Sequence, residues 1–407
     1  MNIKQVLKEE LMKISLSNNE LSDLNQRANE IVKKISNGKI QAFIGGSLAK
    51  GTLMKKNVQD IDIFVIFEKE EDTLTLENIL KKNKFDYKMI HGSRDYFHIE
   101  QEDVIFEIIP VLKLDGEPAN ITDSSLSHVK FVKKQINKNK KLADEIKIAK
   151  AFCYAQNVYG AESYIKGFSG YALELLVIYF GGFEKFLKGI VKLSKDKIVI
   201  DSEKQFKNKQ QIMQELNESK LQSPIVVVDP TYKYRNATAG LSKETFEIFL
   251  DSAKKFLKAP SLKFFEKVEV NSEKLKKEAM KKKAKFIEIH FRTEKQEGDI
   301  AGTKMKKFFD FIVSGLERKE QRVLLKAFDY KEGQDAVGYL GVKENNEIEV
   351  RGPPKKNKEA VESFKRVRKK IYFKKDIAFA KEKISLDDIF AQLKRSEEEM
   401  KVMFEII

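Results

Sequence analysis

Apolar positions along the chain follow two spacings, and the change between them falls near residue 125. Before that point, short apolar runs that alternate with polar residues or continue unbroken predict strands, at 39–44, 60–67, 96–100 and 103–114. A segment of helical spacing precedes them and ends near Ser36, with Asn18 and Asn19 as candidate N-caps. This part is therefore predicted to be an α/β unit on a mixed sheet.

The middle of the chain is predicted to be mainly helical. From residue 125 to residue 260 the apolar residues recur every three or four positions, which is typical of helices with one buried face. The segment "SPIVVVDPTYKYRNATAG" interrupts this pattern with a strand and a turn-rich loop.

Beyond Pro260 the strand and helix patterns mix again. A helix is predicted at 302–317, among strands at 285–291, 322–330 and 335–342. Such an order indicates a small α+β domain. The whole chain is thus predicted to be an α+β protein of three domains, at 1–124, 125–260 and 261–407.

The composition allows a large core and favours an anionic partner. The chain has 407 residues, 42% of them hydrophobic, so it can bury the cores of more than one domain. Its 77 Lys and Arg against 62 Asp and Glu give a formal net charge of +15. Such an excess favours nucleic acid or an acidic membrane surface as partner, although a Lys/Glu-rich solvated exterior also explains part of it.

Cysteine usage and hydropathy predict a soluble, cytoplasmic protein. Cys153 is the only cysteine, so no internal disulfide forms. The N-terminal residues lack the apolar core of a signal peptide. The longest apolar stretch, Gly167 to Phe183, is shorter than a membrane span and contains Glu174, so we interpret it as a buried helix.

Two aspartates open the apolar strand predicted at 60–67. Alternate side chains of a strand share a face, so Asp60 and Asp62 point the same way while Ile61 and Ile63 point into the core. Two neighbouring carboxylates repel each other unless a cation, a proton or a partner relieves them. A pair of Mg²⁺ ions would do so, because hard divalent ions take oxygen ligands. An edge strand with two solvent-facing aspartates is the alternative.

A glycine turn precedes these aspartates. Gly45 and Gly46 allow the backbone to approach a ligand closely, Ser47 is a candidate N-cap of the next segment, and Lys50 adds a positive charge one turn later. A tight turn would explain the glycines alone. A phosphate-binding turn followed by metal-binding carboxylates is the arrangement of nucleotidyltransferases.

This arrangement requires a third carboxylate on a neighbouring strand. Glu107 lies between large apolar residues in "DVIFEIIP", which favours a position facing a cleft or a metal ion. Asp103 shares that strand face and is a weaker candidate. A half-buried structural ion pair is the alternative for Glu107.

Seven stretches, in this order between Gly45 and Phe265, resemble the archaeal CCA-adding enzymes (tRNA nucleotidyltransferases). They are "GGSLAKGT", "DIDIFVIF", "EIIPVLKL", "YGAESY", "KGFSGYALELL", "VVVDPTYKYRNATAGLS" and "APSLKFF". The resemblance implies a polymerase-β-like nucleotidyltransferase fold. It also implies an enzyme that uses CTP and ATP to add C, C and A to the 3′ end of tRNA without a nucleic-acid template. Beyond Phe265 the likeness weakens, and the C-terminal part looks shorter than is usual.

The resemblance also assigns roles to residues of the matching motifs. Asp60, Asp62 and Glu107 would hold two Mg²⁺ ions, and Arg235 would read the base edge together with the tRNA backbone. The triphosphate and its pocket would be contacted by Ser47, Lys50, Ser125, His128, Lys150 and Tyr159. The chain departs from the family in three places, with Asp60 where Glu is usual, Glu107 where Asp is usual and Lys50 where Arg is typical.

Plainer interpretations stand beside these roles. His128 could lie on the surface, Lys150 could be a solvated helix residue, and Tyr159 could serve packing alone. Arg235 offers a fork of donors suited to base edges or phosphates. The segment "KGFSGY" indicates close packing of a helix against a loop.

The basic segment from 353 to 375 is predicted to grip the tRNA backbone by charge, with a solvated basic helix as the alternative. Three other functions remain: a poly(A) polymerase-like enzyme, a nucleotidyltransferase that modifies a small molecule, and a non-catalytic RNA-binding protein on the same scaffold. The basic tail argues against the small-molecule enzyme. Monomer and homodimer are both compatible with the sequence.

Overall fold

The structure is a computed structural model, and the residues that it describes are 2–36, 38, 40–92, 94–113, 116, 118, 120–294, 298–330, 333–368 and 370–407, without the side chain of Ile121. The chain divides into two compact units. Residues 1–161 and 165–268 form the first unit, and residues 162–164 and 269–407 form the second. The first unit spans most of the first two predicted domains, and the division into three domains stays a prediction.

The first unit alternates helices with short strands. Its helices are α1 (Ile3–Ile14), α2 (Asn18–Ile35), α3 (Gly46–Lys50), α4 (Leu76–Lys82), α5 (Ser125–Lys138), α6 (Lys141–Ala155), α7 (Gly170–Phe180), α8 (Phe183–Leu193), α9 (Lys209–Glu215), α10 (Glu218–Leu221) and α11 (Lys243–Lys258). Its strands are β1 (Gln41–Ile44), β2 (Gln59–Phe67), β3 (Lys88–Ile90), β4 (Tyr96–Gln101), β5 (Val104–Leu112), β6 (Ile198–Ile200), β7 (Ile225–Asp229) and β8 (Tyr232–Asn236).

The N-terminal helical segment is two helices, and its predicted caps are wrong. Ser17, not Asn18 or Asn19, caps α2: its hydroxyl accepts from the Glu20 amide, and the Glu20 carboxylate accepts from the Ser17 amide at 2.7 Å. This reciprocal capping box satisfies backbone donors that the first turn leaves free. Both asparagines are already inside the helix.

The predicted mixed sheet is confirmed. Its five strands lie in the order β1-β2-β5-β4-β3, and only β2 and β5 run parallel. Ile61 and Ile63 of β2 are 0% exposed, so one side of the strand packs into the core. The alternate residues of β2 face the other side, which carries the carboxylates.

The longest apolar stretch forms a largely buried helix, as predicted, but it is not one continuous helix. It contains the whole of α7 and the first residue of α8. Gly181 has φ +74°, a left-handed conformation that ends α7 and that glycine adopts without strain. Helix α8 then packs back, and Phe183 and Phe186 join Phe152 of α6 in the largest core of the unit. None of the helices in the described part of the chain is both long and apolar enough to span a bilayer.

The second unit is an α+β structure with two antiparallel sheets. Its helices are α12 (Ser272–Lys281), α13 (Gly298–Arg318), α14 (Lys358–Val367), α15 (Leu386–Lys394) and α16 (Glu397–Met400). Its strands are β9 (Lys285–Arg292), β10 (Arg322–Tyr330), β11 (Asp335–Lys343), β12 (Glu347–Pro354), β13 (Ile371–Lys374), β14 (Ile377–Lys383) and β15 (Met403–Ile406).

The strands predicted in the tail are confirmed as β9, β10 and β11, which form one sheet in the order β10-β11-β9-β15. Strands β12, β14 and β13 form the second sheet. None of the strands β12, β13 and β14 of this second sheet was predicted from the sequence. Strand β15, which pairs with β9, was not predicted either.

Candidate active site

A cavity of about 320 Å³ opens in the first unit where α3, β2, α5, α6 and α7 meet. Glu107 and Arg235 are not among its lining residues. The other residues predicted to bind nucleotide or metal do line it: Ser47, Lys50, Asp60, Asp62, Ser125, His128, Lys150 and Tyr159. The fold therefore gathers side chains that are far apart in sequence around one space.

The glycine turn is shaped by strand β2. A Cβ on Gly46, whose φ is +51°, would lie 1.6 Å from Oδ2 of Asp62, and a Cβ on Gly45 would lie 2.2 Å from the ring of Phe64. The Gly45 amide also donates to the Asp62 carbonyl at 2.8 Å. Both glycines are thus required for the turn to pass close to Asp62. The predicted cap is wrong, because Gly45 is the N-cap of α3 and Ser47 lies inside the helix.

The two aspartates share the open face of β2, as expected from strand alternation. Asp62 lies directly opposite Glu107 in the parallel register, and Glu107 lies opposite His98 on β4. The three side chains therefore form a row across adjacent strands. Asp103 does not join it, because it precedes β5, is exposed and pairs with Arg27 at 3.4 Å.

Two of the three carboxylates have cationic or imidazole partners. Asp60 accepts from Lys56 Nζ at 2.7 Å, and Glu107 Oε1 lies 3.2 Å from His98 Nε2. As these side chains stand, no three Asp, Glu, His or Cys residues in the described ranges are grouped closely enough to hold a metal ion. The structure thus brings Asp60, Asp62 and Glu107 to one sheet face without converging their oxygens on one point.

Asp62 is the electrostatically strained member of the row. Burial raises its pKa to about 6, and the negative charge of Glu107 acts in the same direction. None of the ion pairs among the described residues includes Asp62. A hard divalent cation would relieve this repulsion and would find only oxygen donors on Asp60, Asp62 and Glu107, so the residues present fit Mg²⁺.

Glu174 of α7 was missed as a site residue by the sequence analysis. Its side chain is 0% exposed, and its Oε2 accepts from Lys50 Nζ at 2.7 Å while its Oε1 accepts from Lys150 Nζ at 2.8 Å. Thr52 donates to Oε1 at 3.0 Å. The alternative of a solvated Lys150 is therefore wrong, because this lysine is buried within the network.

The charges in this network compensate each other. Burial by itself would raise the pKa of Glu174, but the ammonium groups of Lys150 and Lys50 lower it to about 2. Glu174 is thus ionised at neutral pH, and the two lysines leave one net positive charge at the cavity wall. The signal in the sequence that could have identified Glu174 was its position as a single acid inside the longest apolar stretch.

A second network surrounds Asp229, at the end of β7. Its Oδ2 lies 3.0 Å from His128 Nε2 and accepts from Arg235 Nη1 at 2.6 Å. Its Oδ1 accepts from the Tyr171 hydroxyl at 3.1 Å and from the Thr231 hydroxyl at 2.7 Å. Burial of the carboxylate opposes ionisation, but these partners hold the pKa of Asp229 well below its usual range.

His128 is a buried cavity residue, so the alternative of a surface histidine is wrong. Its ring stacks on Tyr171 with centroids 3.8 Å apart. Burial lowers the pKa of His128 although Asp229 acts against this shift, so the imidazole is neutral at pH 7. Arg235 lies beside this stack, and its Nε is buried without a hydrogen-bond partner among the described residues.

Ser125 and Tyr159 lie at other parts of the wall. Ser125 is the first residue of α5, and Tyr159 forms an isolated bridge with Phe168. The predicted close packing of a helix against a loop at "KGFSGY" is confirmed, because a Cβ on Gly170, the first residue of α7, would lie 2.9 Å from the Tyr159 hydroxyl.

Two family profiles match consecutive parts of the chain. Residues 26–136 match the nucleotidyltransferase domain, and residues 144–266 match the second domain of tRNA nucleotidyltransferases. The cavity is lined from both matched segments.

Three curated relatives of this chain are all named CCA-adding enzyme. The chain is 36% identical to the CCA-adding enzyme of Nanoarchaeum equitans over 318 aligned residues. The alignment covers 77% of this chain and 76% of that protein. It is 32% identical over 285 residues to the CCA-adding enzyme of Methanocaldococcus jannaschii, covering 65% of this chain and 62% of that protein. The CCA-adding enzyme of Saccharolobus shibatae is 29% identical over 327 residues, 78% of this chain and 74% of that protein.

Solved structures resemble the fold at low sequence identity. A cytoplasmic RNA terminal U-transferase superposes with a TM-score of 0.53 at 13% identity, over 66% of this chain and 99% of its own. The Cid1 poly(U) polymerase gives 0.52 at 12% identity, over 65% of this chain and 98% of its own. These similarities concern the fold and confirm the predicted nucleotidyltransferase architecture.

Proposed function

This chain belongs to the family of CCA-adding enzymes, and we propose that the cavity of the first unit is where it adds C, C and A to the 3′ end of tRNA. One observation carries the proposal for the site. Asp62 and Glu107 lie side by side on neighbouring strands, and Asp62 faces the same cavity as Lys50 and the buried Lys150. Carboxylates that gather cations and lysines that attract phosphates meet in one space.

The proposed reaction is an in-line nucleotidyl transfer. The 3′-hydroxyl of tRNA attacks the α-phosphate of CTP or ATP, and pyrophosphate leaves. Asp60, Asp62 and Glu107 would hold two Mg²⁺ ions. Such ions would lower the pKa of the attacking 3′-hydroxyl and neutralise charge on the phosphate oxygens. Lys56 and His98, the present partners of Asp60 and Glu107, orient these carboxylates along the sheet face.

In this proposal the triphosphate lies along the part of the cavity wall that α3, α5 and α6 form. Lys50 and Lys150 provide positive charge where negative charge develops on the leaving pyrophosphate. Ser47 and Ser125 offer hydroxyl donors, and Tyr159 closes the wall beside Lys150. The neutral His128 contributes a hydrogen bond rather than a charge.

Base choice is assigned to Arg235. Asp229 accepts a hydrogen bond from Nη1 of Arg235, and the guanidinium carbon of Arg235 lies over the ring of Tyr171, 5.5 Å from its centroid. The remaining guanidinium donors can read a base edge. Because C and A are both accepted, we propose that the tRNA backbone completes the set of partners for the base.

The departures from the family pattern concern the length of two carboxylates. Asp60 is one methylene shorter and Glu107 one methylene longer than the usual residues. Since Asp62 and Glu107 keep their paired register, the exchange affects the rate of the reaction more than its class.

The second unit is proposed to bind the tRNA backbone. The segment 353–375 contains α14 and β13 and is rich in lysine and arginine, although Lys369 lies outside the described residues. Binding through such charges weakens steeply with salt, because it releases the counterions of the phosphates. We propose a cytoplasmic location, and the proposal holds for a monomer and for a homodimer.

The test uses tRNA that lacks its 3′-terminal CCA, Mg²⁺ and one labelled nucleotide at a time. CTP alone should give two additions, and ATP should then complete the end with one. Long A-tails would instead support a poly(A) polymerase-like enzyme. Failure to extend any tRNA, with binding intact, would support a non-catalytic RNA-binding protein and overturn the proposal.

A further inference from the structure

Glu174 places a charge within the most apolar helix of the first unit. Its side chain is 0% exposed, and a buried carboxylate is costly unless cations and donors surround it. In a cavity proposed to receive a triphosphate, a further negative charge also repels the ligand. Packing alone therefore does not account for an acid at this position.

Both oxygens of Glu174 are occupied by groups of the cavity wall. Oε2 accepts from Lys50, Oε1 accepts from Lys150, and Thr52 bridges by donating to Oε1 and accepting from Lys150 at 3.0 Å. These partners come from the end of α3, the loop after it and the middle of α6. Glu174 thus joins segments that are 124 and 24 positions away in sequence.

The carboxylate determines where the two ammonium groups stand. Without it, two like charges would stand near each other with no anion between them, and their repulsion would turn the side chains apart. With it, each ammonium group has a carboxylate oxygen as partner, and the two side chains are only 10% and 4% exposed. Lysine side chains otherwise sample many rotamers, so holding them in advance lowers the entropic cost of ligand binding.

We infer that Glu174 is a positioning residue for the triphosphate of CTP and ATP, through its contacts with Lys50 and Lys150. The inference rests on the proposed function. Glu174 acts on phosphate binding and shares no hydrogen bond with Arg235 or Asp229 among the described residues. Its loss should therefore affect CTP and ATP equally and leave base choice unchanged.

The variant Glu174→Gln tests this inference. Glutamine keeps the shape but turns one acceptor into a donor, so one lysine loses its partner. We expect KM for CTP and for ATP to rise by about tenfold, the size typical of a lost charge-assisted hydrogen bond. Inhibition by pyrophosphate should weaken by a similar factor, whereas tRNA affinity and the preference for C over U should stay as in the wild type.

Glu145→Gln is the matched control. Glu145 lies on α6 and accepts from the Phe183 amide at 2.7 Å, outside the cavity lining. It should change thermal stability without changing KM or pyrophosphate inhibition. Should Glu174→Gln not fold, Glu174→Asp keeps the charge with a shorter reach, and the same KM and pyrophosphate changes are expected at smaller size.

Unchanged KM and pyrophosphate inhibition in a folded Glu174 variant would overturn the inference. So would a parallel loss of tRNA binding, base choice and melting temperature, since this pattern indicates a structural role. A wild-type chain that adds no C or A refutes the proposed function instead. In that case, the affinity of the wild type and of Glu174→Gln for ATP in Mg²⁺ buffer is measured by calorimetry. Weaker binding to the variant supports the inference, whereas equal affinity, or no binding to either protein, overturns it.

Discussion

Asp62 and Glu107 face each other in register across the parallel strands β2 and β5, and Gly46 packs against the carboxylate of Asp62. This pair links the sheet to the cavity, because Asp62 lines the cavity and its pKa is raised by burial and, to a smaller extent, by the charge of Glu107. Two carboxylates held so close together favour any cation that binds between them.

Asp62→Asn should abolish nucleotide addition. The amide keeps the shape of the side chain but removes the charge that would hold Mg²⁺, so we expect a loss of at least about a thousandfold in kcat. Affinity for tRNA, measured by filter binding, should stay within the wild-type range. Joint loss of tRNA binding and folding would assign Asp62 to structure rather than to catalysis.

The same variant should be more stable than the wild type at neutral pH in metal-free buffer. The folded state raises the pKa of Asp62 from 3.8 to about 6, so it binds this proton more tightly than the unfolded state does. The free energy of unfolding therefore falls as pH rises from about 4 to about 6. Allowing for solvent screening, the ionised carboxylate costs about 1–2 kcal/mol at pH 7.

Urea unfolding with EDTA at pH 7 and at pH 4 measures this difference. The advantage of Asp62→Asn should be present at pH 7 and largely absent at pH 4, where Asp62 in the wild type is protonated. A variant less stable than the wild type at pH 7 would show that the carboxylate is stabilised by its surroundings.

Gly46→Ala should inactivate the enzyme through Asp62. The added Cβ would lie 1.6 Å from Oδ2, so the carboxylate must move, and we expect kcat/KM to fall by about a hundredfold or more. Gly51→Ala is the control, since Gly51 also has a positive φ, +73°, but nothing lies within 4 Å of its Cβ position. It should cost about 1–2 kcal/mol of stability and little activity. Equal activity losses would point to backbone strain alone.

Arg235→Ala should relax base choice. Arg235 is held by Asp229 with donors left for a ligand, so its removal should lower C and A incorporation by about tenfold and raise the relative incorporation of U and G. Single-nucleotide extension assays measure both effects. Lys233→Ala, on the same strand, should leave selectivity intact. Unchanged selectivity in the arginine variant would remove Arg235 from base recognition.

Lys150→Met should destabilise the first unit. It removes one of two cations around a carboxylate that is 0% exposed, and because Lys50 remains, we expect about 2 kcal/mol rather than the full cost of a broken buried pair. Lys147→Met on the same helix removes a pair with Asp144, which is half-exposed, and should cost less than about 1 kcal/mol. Urea unfolding compares the two, and equal costs would show that the buried network contributes little.

Local patterns were sufficient for much of the fold. The alternation in β2 and β5 was visible because one side of each strand must be buried, and it placed Asp60, Asp62 and Glu107 on one face. Errors occurred where a single residue decides a boundary. Ser17 rather than Asn18 caps α2, and Gly45 rather than Ser47 caps α3, because the exact start of a helix depends on neighbours that a local pattern does not contain.

By itself, the sequence determined the class of the fold, the strand that carries the aspartates, and the motifs that resemble CCA-adding enzymes, since these depend on periodicity and on short segments. Only the tertiary structure decided that Glu174 holds Lys50 and Lys150, and that Asp229 joins His128, Tyr171 and Arg235. Those partners lie up to 124 positions apart. A buried charge is stable only beside its compensating groups, and chain folding alone brings such groups together.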